Sequence, residues 1–279
     1  MMIETSKTIT IYVVSHKKFK SHNPDLNFKT IFVGNNGKQL FEEAKHDNNV
    51  EYDSHGINIG EKNKNYCELT ALYWIWKNDN SDIIGLCHYR RYFGTKISYL
   101  IKLLTGKEKF LLNSSHILKY LTKYDIILPK HCVHPYHQTV RDNYAMRHNV
   151  QDLDKTREIL SRLFPEYLAD FDDVMNRRYM YQGNMFITKR NILNEYCEFL
   201  FKLLFELEQQ VKDVVTTYSP YNQRIYGFIS ERLFSVWIEH NKTKYKLKET
   251  RFICTEDPSA LSYFFHNYKY IFLKYRRKK

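Results

Sequence analysis

Five short apolar runs, each too brief for a helix and each bounded by polar, Gly or Pro residues, restrict this chain to folds built on a buried sheet. Thr8–Ser15 (TITIYVVS) and Thr30–Gly34 (TIFVG) are β-branched, and the second is stopped by Asn35-Asn36-Gly37, a strong turn signal. Asp82–Cys87 and Tyr124–Leu128 follow, the latter closed by Pro129, and Asn184–Thr188 is a further candidate. Continuous apolar runs, rather than alternating ones, are the pattern of strands covered on both faces. Lys62–Lys77 has helical spacing and is apolar nearly all round in its second half (Leu69, Ala71, Leu72, Tyr73, Trp74, Ile75, Trp76), so it is expected to pack inside. Strand, connection, helix and strand repeated in this way predict an α/β sheet with helices on its faces.

The second half is richer in helix. Thr139–Arg178 is polar with Leu153, Ile159, Leu160, Leu163 and Phe164 at helical spacing, and helices are expected over about 191–211 and over Gly227–Glu239. There is no internal repeat and no low-complexity linker. A chain of 279 residues with 43% hydrophobic content fits one α/β domain carrying a helical insertion.

Other features narrow the setting. The five cysteines are scattered singly without a CxxC, as in reduced cytoplasmic proteins. Met1–Ile9 lacks a signal peptide's apolar run, and no stretch reaches the roughly 18 apolar residues of a bilayer span. The expected place is the cytoplasm, with contact at a membrane surface. A net charge of +12 suits nucleic acid, anionic membrane or phosphorylated small molecules, or reflects lysine-rich compositional drift. The tail Tyr263–Lys279 interleaves aromatics with Lys and Arg; it reads equally as a lipid-docking segment or a frayed terminal element.

Chemistry gathers in four places. The Asp82–Cys87 run passes directly into His88-Tyr89-Arg90-Arg91-Tyr92-Phe93, putting cations at the carboxyl edge of the sheet, where open α/β folds bind ligands. An extended chain there would send His88 and Arg90 to one side and Tyr89 and Arg91 to the other. Guanidinium groups suit a diphosphate. Asp53–Asn63, polar and Gly-containing, opens the helix in which Glu68 needs a partner; it matches neither GxxxxGK[ST] nor GxGxxG. Gly183-Asn184 precedes a strand, as a ligand approach or a plain turn. Glu231 stands beside Arg232 in an apolar helix, as a general base of raised pKa or as a surface charge. The His131, His134 and His137 loop fits no standard zinc spacing.

On these residues the chain resembles the bacterial capsular-polysaccharide and exopolysaccharide synthesis glycosyltransferases long catalogued as a domain of unknown function. The matching stretches are Ile11–Lys17, Gly56–Ile59 with Lys62-Asn63, Tyr66–Lys77, Asp82–Phe93, Asp125–Lys130, Gly183–Phe186 and Gly227–Arg232. The resemblance implies a GT-A-like, Rossmann-type mixed sheet flanked by helices, with a nucleotide-sugar half over about 1–135 and an acceptor-side, largely helical half over about 136–279. It implies a transferase using a UDP-sugar, with UDP-galactofuranose and UDP-galactose as candidates, and a lipid-linked saccharide as acceptor; inversion follows if one base acts alone. Glu231 would be the catalytic base. His16, Lys62, Asn63, His88, Tyr89, Arg90 and Arg91 would bind the donor diphosphate, and Tyr144, His148, Gly183, Asn184 and Arg232 the sugar and acceptor. The Asp-x-Asp by which most enzymes of this fold hold Mn²⁺ or Mg²⁺ is missing, and His88-Tyr89-Arg90 stands in its place, so no metal ligand is assigned and the arginines either replace Mn²⁺ or Mg²⁺ at the diphosphate or accompany it. A noncatalytic scaffold of a polysaccharide assembly and a basic nucleic-acid-binding protein are the alternatives; the second fits less well because the aromatics sit in apolar runs.

Overall fold

The computed structural model describes residues 7–134 and 138–256. The tail Tyr263–Lys279, His137 and residues 1–6 lie outside the described residues. A central strand β1 (Ile9–Ser15) pairs in parallel with β2 (Phe28–Phe32) on one side. On the other it pairs in parallel with β4 (Ile83–His88), and β3 (Val50–Tyr52) extends the sheet beyond β2. Helix α1 (Gly37–Ala44) connects β2 to β3. Because β1 has a parallel neighbour on each side, a crevice opens at the carboxyl ends of β1 and β4, the switch point where such sheets take ligands.

The far edge of β4 divides. Its Ile83–Leu86 segment pairs antiparallel with β9 (Phe186–Lys189), while His88 pairs with Arg91, the first residue of β5 (Arg91–Gly94). Strand β9 continues to β6 (Ile126–Pro129), β6 runs parallel to β10 (Leu247–Cys254), and β10 pairs antiparallel with β5. A small ribbon, β7 (Cys132–Val133) with β8 (Tyr179–Met180), lies apart.

Alternation along the strands sorts the core. Tyr12, Val14, Ile84 and Leu86 face a layer containing α3 (Leu69–Asn78), α9 (Arg190–Val215) and α10 (Ile225–Asn241). Ile11, Val13, Ile83 and Cys87 face the opposite side, with Ile117 and Leu121 of α5 (Ser114–Leu121). Helices α6 (Val140–Ala145), α7 (Val150–Leu163) and α8 (Leu168–Asn176) stack on the first layer, α7 against α9 and α8 against α10. Each fully buried Leu, Ile or Phe in these layers contributes roughly 1.5–3 kcal/mol. No described helix is long and apolar enough to cross a membrane.

Two expectations need correction. The single helix over Lys62–Lys77 is broken into α2 (Asn63–Tyr66) and α3, with Cys67 between them at φ +53°. The break is made by a local side-chain clasp and by one tertiary contact. Asn63 Nδ2 donates to the Cys67 carbonyl at 2.9 Å and to Thr70 Oγ1 at 3.0 Å, and Gly227 of α10 presses so close that a Cβ there would lie 3.3 Å from the Cys67 side chain. Glu68 is consequently a residue of the α3 start, not of a helix interior. The second correction concerns β5, β10, α5 and α4 (Lys96–Thr105), which the apolar runs did not announce. Strand β10 (LKETRFIC) alternates only weakly, and α4 carries its apolar residues outward.

Candidate active site

The β4 strand does not continue extended past His88. Tyr89 and Arg90 form a tight turn, and Arg91 returns opposite His88. Cross-strand partners share a face, so the side chains brought together are His88 and Arg91, not His88 and Arg90. A Cβ on Gly183 would lie 3.2 Å from Arg91 Nη1 and 3.6 Å from His88 Nε2. Arg90 pairs with Glu256 at 2.9 Å at the rim of the site.

Around this turn lies a cavity of about 600 Å³, within the range of small-molecule sites. The β1 end supplies Ser15 and His16, and the β4 turn supplies His88, Tyr89, Arg90 and Arg91. Helix α2 adds Asn63 and Lys64, and the α3 and α10 starts add Glu68, Arg224, Phe228 and Glu231. Four cations (Lys64, Arg90, Arg91, Arg224) therefore border two carboxylates. The His16 ring meets Tyr89 edge-on at 5.5 Å, and burial, with Lys17, Arg90 and Arg224 nearby, pushes its pKa down.

The Gly183-Asn184 segment organises the carboxylates. Gly183 N–H donates to Glu231 Oε1 at 2.8 Å, and the Gly183 carbonyl accepts from His88 Nε2 at 2.5 Å, which defines the Nε2–H tautomer of His88. Gly183 has φ +79°, a conformation glycine adopts without a side-chain clash. The next residue, Asn184, donates from Nδ2 to Glu68 Oε1 and to Ser230 Oγ, each at 2.9 Å. Burial raises the pKa of both carboxyls, and the Glu68 charge adds to the effect on Glu231. Burial also pushes His88 down to about 4, so at neutral pH it is an uncharged donor.

This predicts a pH signature. An unfolded histidine titrates near 6.5, so the stability that neutral His88 contributes is complete above that pH and is lost as pH falls toward 4. The loss amounts to roughly 3 kcal/mol. Asp53 and Asp152, which burial raises to about 6, act with opposite sign over an overlapping window. They cancel when wild type is compared with His88→Gln, which keeps a donor toward Gly183. The stability gap between the two, from urea midpoints at pH 7, 5.5 and 4, is expected to narrow steadily; a constant gap would contradict the buried neutral imidazole.

Not every anticipated residue reaches the cavity. Lys62 Nζ is held by Glu208 at 2.7 Å, above the Tyr66 ring, and does not line it. Asn184 is fully buried and its amide N–H groups face Glu68 and Ser230, so it positions carboxylates rather than reading a ligand. Tyr144 is buried beneath the Arg232 guanidinium at 5.1 Å, and Arg232, itself buried, bonds the Phe228 carbonyl at 2.9 Å and Glu231 at 3.2 Å. His148 stacks on Phe228 at 4.1 Å, behind the cavity wall. Arg224, Lys64 and Phe228 were missed. Arg224 comes from 157 residues beyond its partner Cys67, whose Sγ its Nε approaches at 3.1 Å, and no local pattern joins the two.

A divalent cation takes a cluster of oxygen ligands. The β4 end instead offers two guanidiniums and an imidazole committed to Gly183, and among the described residues no three His, Cys, Asp or Glu converge as a ligand set. The β4 end thus lacks the carboxylate pair by which most enzymes of this fold hold Mn²⁺ or Mg²⁺.

Comparison with known proteins agrees with the fold. A family model described as "Domain of unknown function (DUF4422)" matches residues 10–242. The chain belongs to that family. Among solved structures, the apo form of the bifunctional glycosyltransferase WbbM superposes with a TM-score of 0.76 at 27% identity, covering 90% of this chain and 46% of that one. This DUF4422 chain therefore spans about half the length of that structure. The GT-A-like mixed sheet flanked by helices, expected from the resemblance, is the fold observed. Glucosyl-3-phosphoglycerate synthase from Mycobacterium tuberculosis, solved with Mn²⁺, UDP and its product, reaches a TM-score of only 0.27 at 9% identity, covering 67% of this chain and 58% of that one, too little to carry an argument. No curated protein sequence matches.

Proposed function

We propose that this DUF4422 chain is a glycosyltransferase that moves a sugar from a nucleotide-diphosphate donor to a hydroxyl acceptor. The observation carrying the proposal is the cavity at the β1 and β4 ends, where four cations border two buried carboxylates. Cations at a sheet's carboxyl edge suit a diphosphate, and a buried carboxylate of raised pKa suits proton abstraction. The likeness to WbbM supports the same class.

In the proposed reaction Glu231 takes the proton of the acceptor hydroxyl as its oxygen attacks the anomeric carbon. The bond from that carbon to the diphosphate breaks, and its electron pair leaves with the nucleotide. Arg90, Arg91 and Arg224 stabilise the departing charge. The Gly183 N–H and Arg232 hold the Glu231 carboxylate in place, while Glu68, steadied by Asn184, is an acceptor for sugar hydroxyls. One base and one displacement give inversion. The donor is proposed to be UDP-linked, galactofuranose and galactose being the first sugars to test. The acceptor is proposed to be a lipid-linked saccharide in surface-polysaccharide synthesis, with residues 1–135 as the donor half and 136–279 as the acceptor half.

A UDP-sugar panel tests this by thermal shift and calorimetry, since a bound donor raises apparent stability. Arg91→Ala and Arg224→Ala are each expected to weaken UDP binding by about 10- to 100-fold, the size of a charge-assisted contact. Binding is expected to persist in EDTA. If UDP does not bind, or binds equally well without either arginine, the proposal fails; binding that vanishes in EDTA and returns with Mn²⁺ removes the metal-free diphosphate site.

A further inference from the structure

Helix α4 is built inside out. Its Ile97, Leu100, Ile101 and Leu104 fall at the i, i+3, i+4, i+7 spacing of one stripe, yet Ile97, Leu100 and Leu104 are 63%, 54% and 49% exposed, with Tyr99 and Leu103 also in solvent. The face turned to the protein carries Ser98 and Lys102, the lysine only 7% exposed. Its ammonium is satisfied there by Glu108 at 2.6 Å and by the Gly106 and Thr255 carbonyls at 3.2 Å. Gly94 allows the approach, since a Cβ there would come within 3.2 Å of the Ser98 side chain. A Thr95–Ser98 capping box and Gly106 in the left-handed region define both helix ends, so the outward apolar stripe belongs to a well-formed helix.

Beside this stripe lies a hollow of about 520 Å³ bordered by Lys96, Lys130, Lys248 and Arg251. Its one carboxylate, Glu249, is engaged by His131 and by the Tyr181 hydroxyl, both at 2.9 Å. An exposed apolar helix face next to four cations matches the two layers of a membrane surface, acyl boundary and anionic headgroup. The chain's own residues 257–279 are a poorer occupant: they are themselves rich in Lys and Arg and would meet these cations with like charge.

We infer that α4 and the Lys96, Lys130, Lys248 and Arg251 hollow form a docking surface for an anionic lipid bilayer, the stripe entering the headgroup boundary and the hollow receiving phosphate headgroups. This surface lies outside the cavity described above and does not depend on the transferase reading. It follows Arg91 closely in the chain, since α4 begins five residues beyond that arginine.

Sedimentation of the full-length protein with phosphatidylcholine vesicles, with and without phosphatidylglycerol, tests the inference. The wild type is expected to bind the phosphatidylglycerol vesicles and to be released by salt. The triple variant Ile97→Asp, Leu100→Asp, Leu104→Asp is expected to lose binding at least about tenfold at an unchanged melting temperature, because these side chains are already in solvent. The single Leu100→Gln is a milder check of the same face. Lys130→Glu with Lys248→Glu is expected to remove the preference for phosphatidylglycerol. The inference is overturned if the wild type binds neither vesicle, or if the α4 variants bind as wild type does, which would move the anchor to the C-terminal residues. It is likewise overturned if the α4 variants only convert a dimer to a monomer, or if the lysine variant keeps the lipid preference.

Discussion

Replacing Glu231 by glutamine is expected to lower kcat for sugar transfer from a UDP-sugar by about 10²- to 10⁴-fold, the contribution of a positioned general base, while leaving the donor KM close to wild type. Glutamine keeps an oxygen able to accept the Gly183 N–H that Glu231 Oε1 receives at 2.8 Å, so Gly183 stays in place and its carbonyl still meets His88. What is lost is the proton acceptor. The variant also leaves the buried Arg232 without its carboxylate, so some loss of stability accompanies the substitution, and circular dichroism separates the two effects. Because burial raises the Glu231 pKa, wild-type activity is expected to rise with pH through a limb above the ordinary carboxylate value of about 4.3. That limb should be absent from the residual activity of the variant. A variant retaining kcat within a few-fold of wild type would end the assignment of Glu231 as base and favour a noncatalytic scaffold.

The largest stability effect is expected at Asn184. Its side chain is fully buried, its backbone sits at φ +49°, and its amide bonds Glu68 and Ser230. Alanine removes both bonds and strands Glu68 beside a wall of low dielectric. Unmade hydrogen bonds to a buried charged group cost about 1.5–3 kcal/mol, and alanine in the left-handed region adds about 1 kcal/mol. Asn184→Ala should therefore destabilise by about 2.5–4 kcal/mol in urea unfolding. In the background of Glu68→Gln the same substitution should cost less, because no carboxylate is left unpaired; equal costs in both backgrounds would show that Glu68 and Asn184 are not coupled.

Particular residues show why parts of this molecule were legible before any coordinates. Strands β1, β4 and β6 are covered on both faces, and that requirement writes itself as unbroken apolar runs such as Ile83–Cys87. Glu231 and the His88–Arg91 cluster stood out because charge inside an apolar run needs a reason. The break at Cys67 was invisible, since the Gly227 that presses on it comes from a distant segment of the chain. Strand β5 was invisible for another reason: its four residues follow a turn whose tightness decides which arginine joins His88.

The sequence by itself determined the α/β sheet, most of its buried strands, the edge at which cations gather and the carboxylate at residue 231, all of which follow from local patterns of apolar and charged residues. Only the tertiary structure decided that His88 pairs with Arg91 and that the Gly183-Asn184 segment holds both carboxylates. It alone brought Arg224 to the cavity from a distant segment and turned α4 outward. The physical reason is that hydrophobic periodicity records only how far each residue is removed from water. Which polar groups meet is settled by strand pairing, helix packing and the need to satisfy buried charge, and those partners lie tens to hundreds of residues apart along the chain.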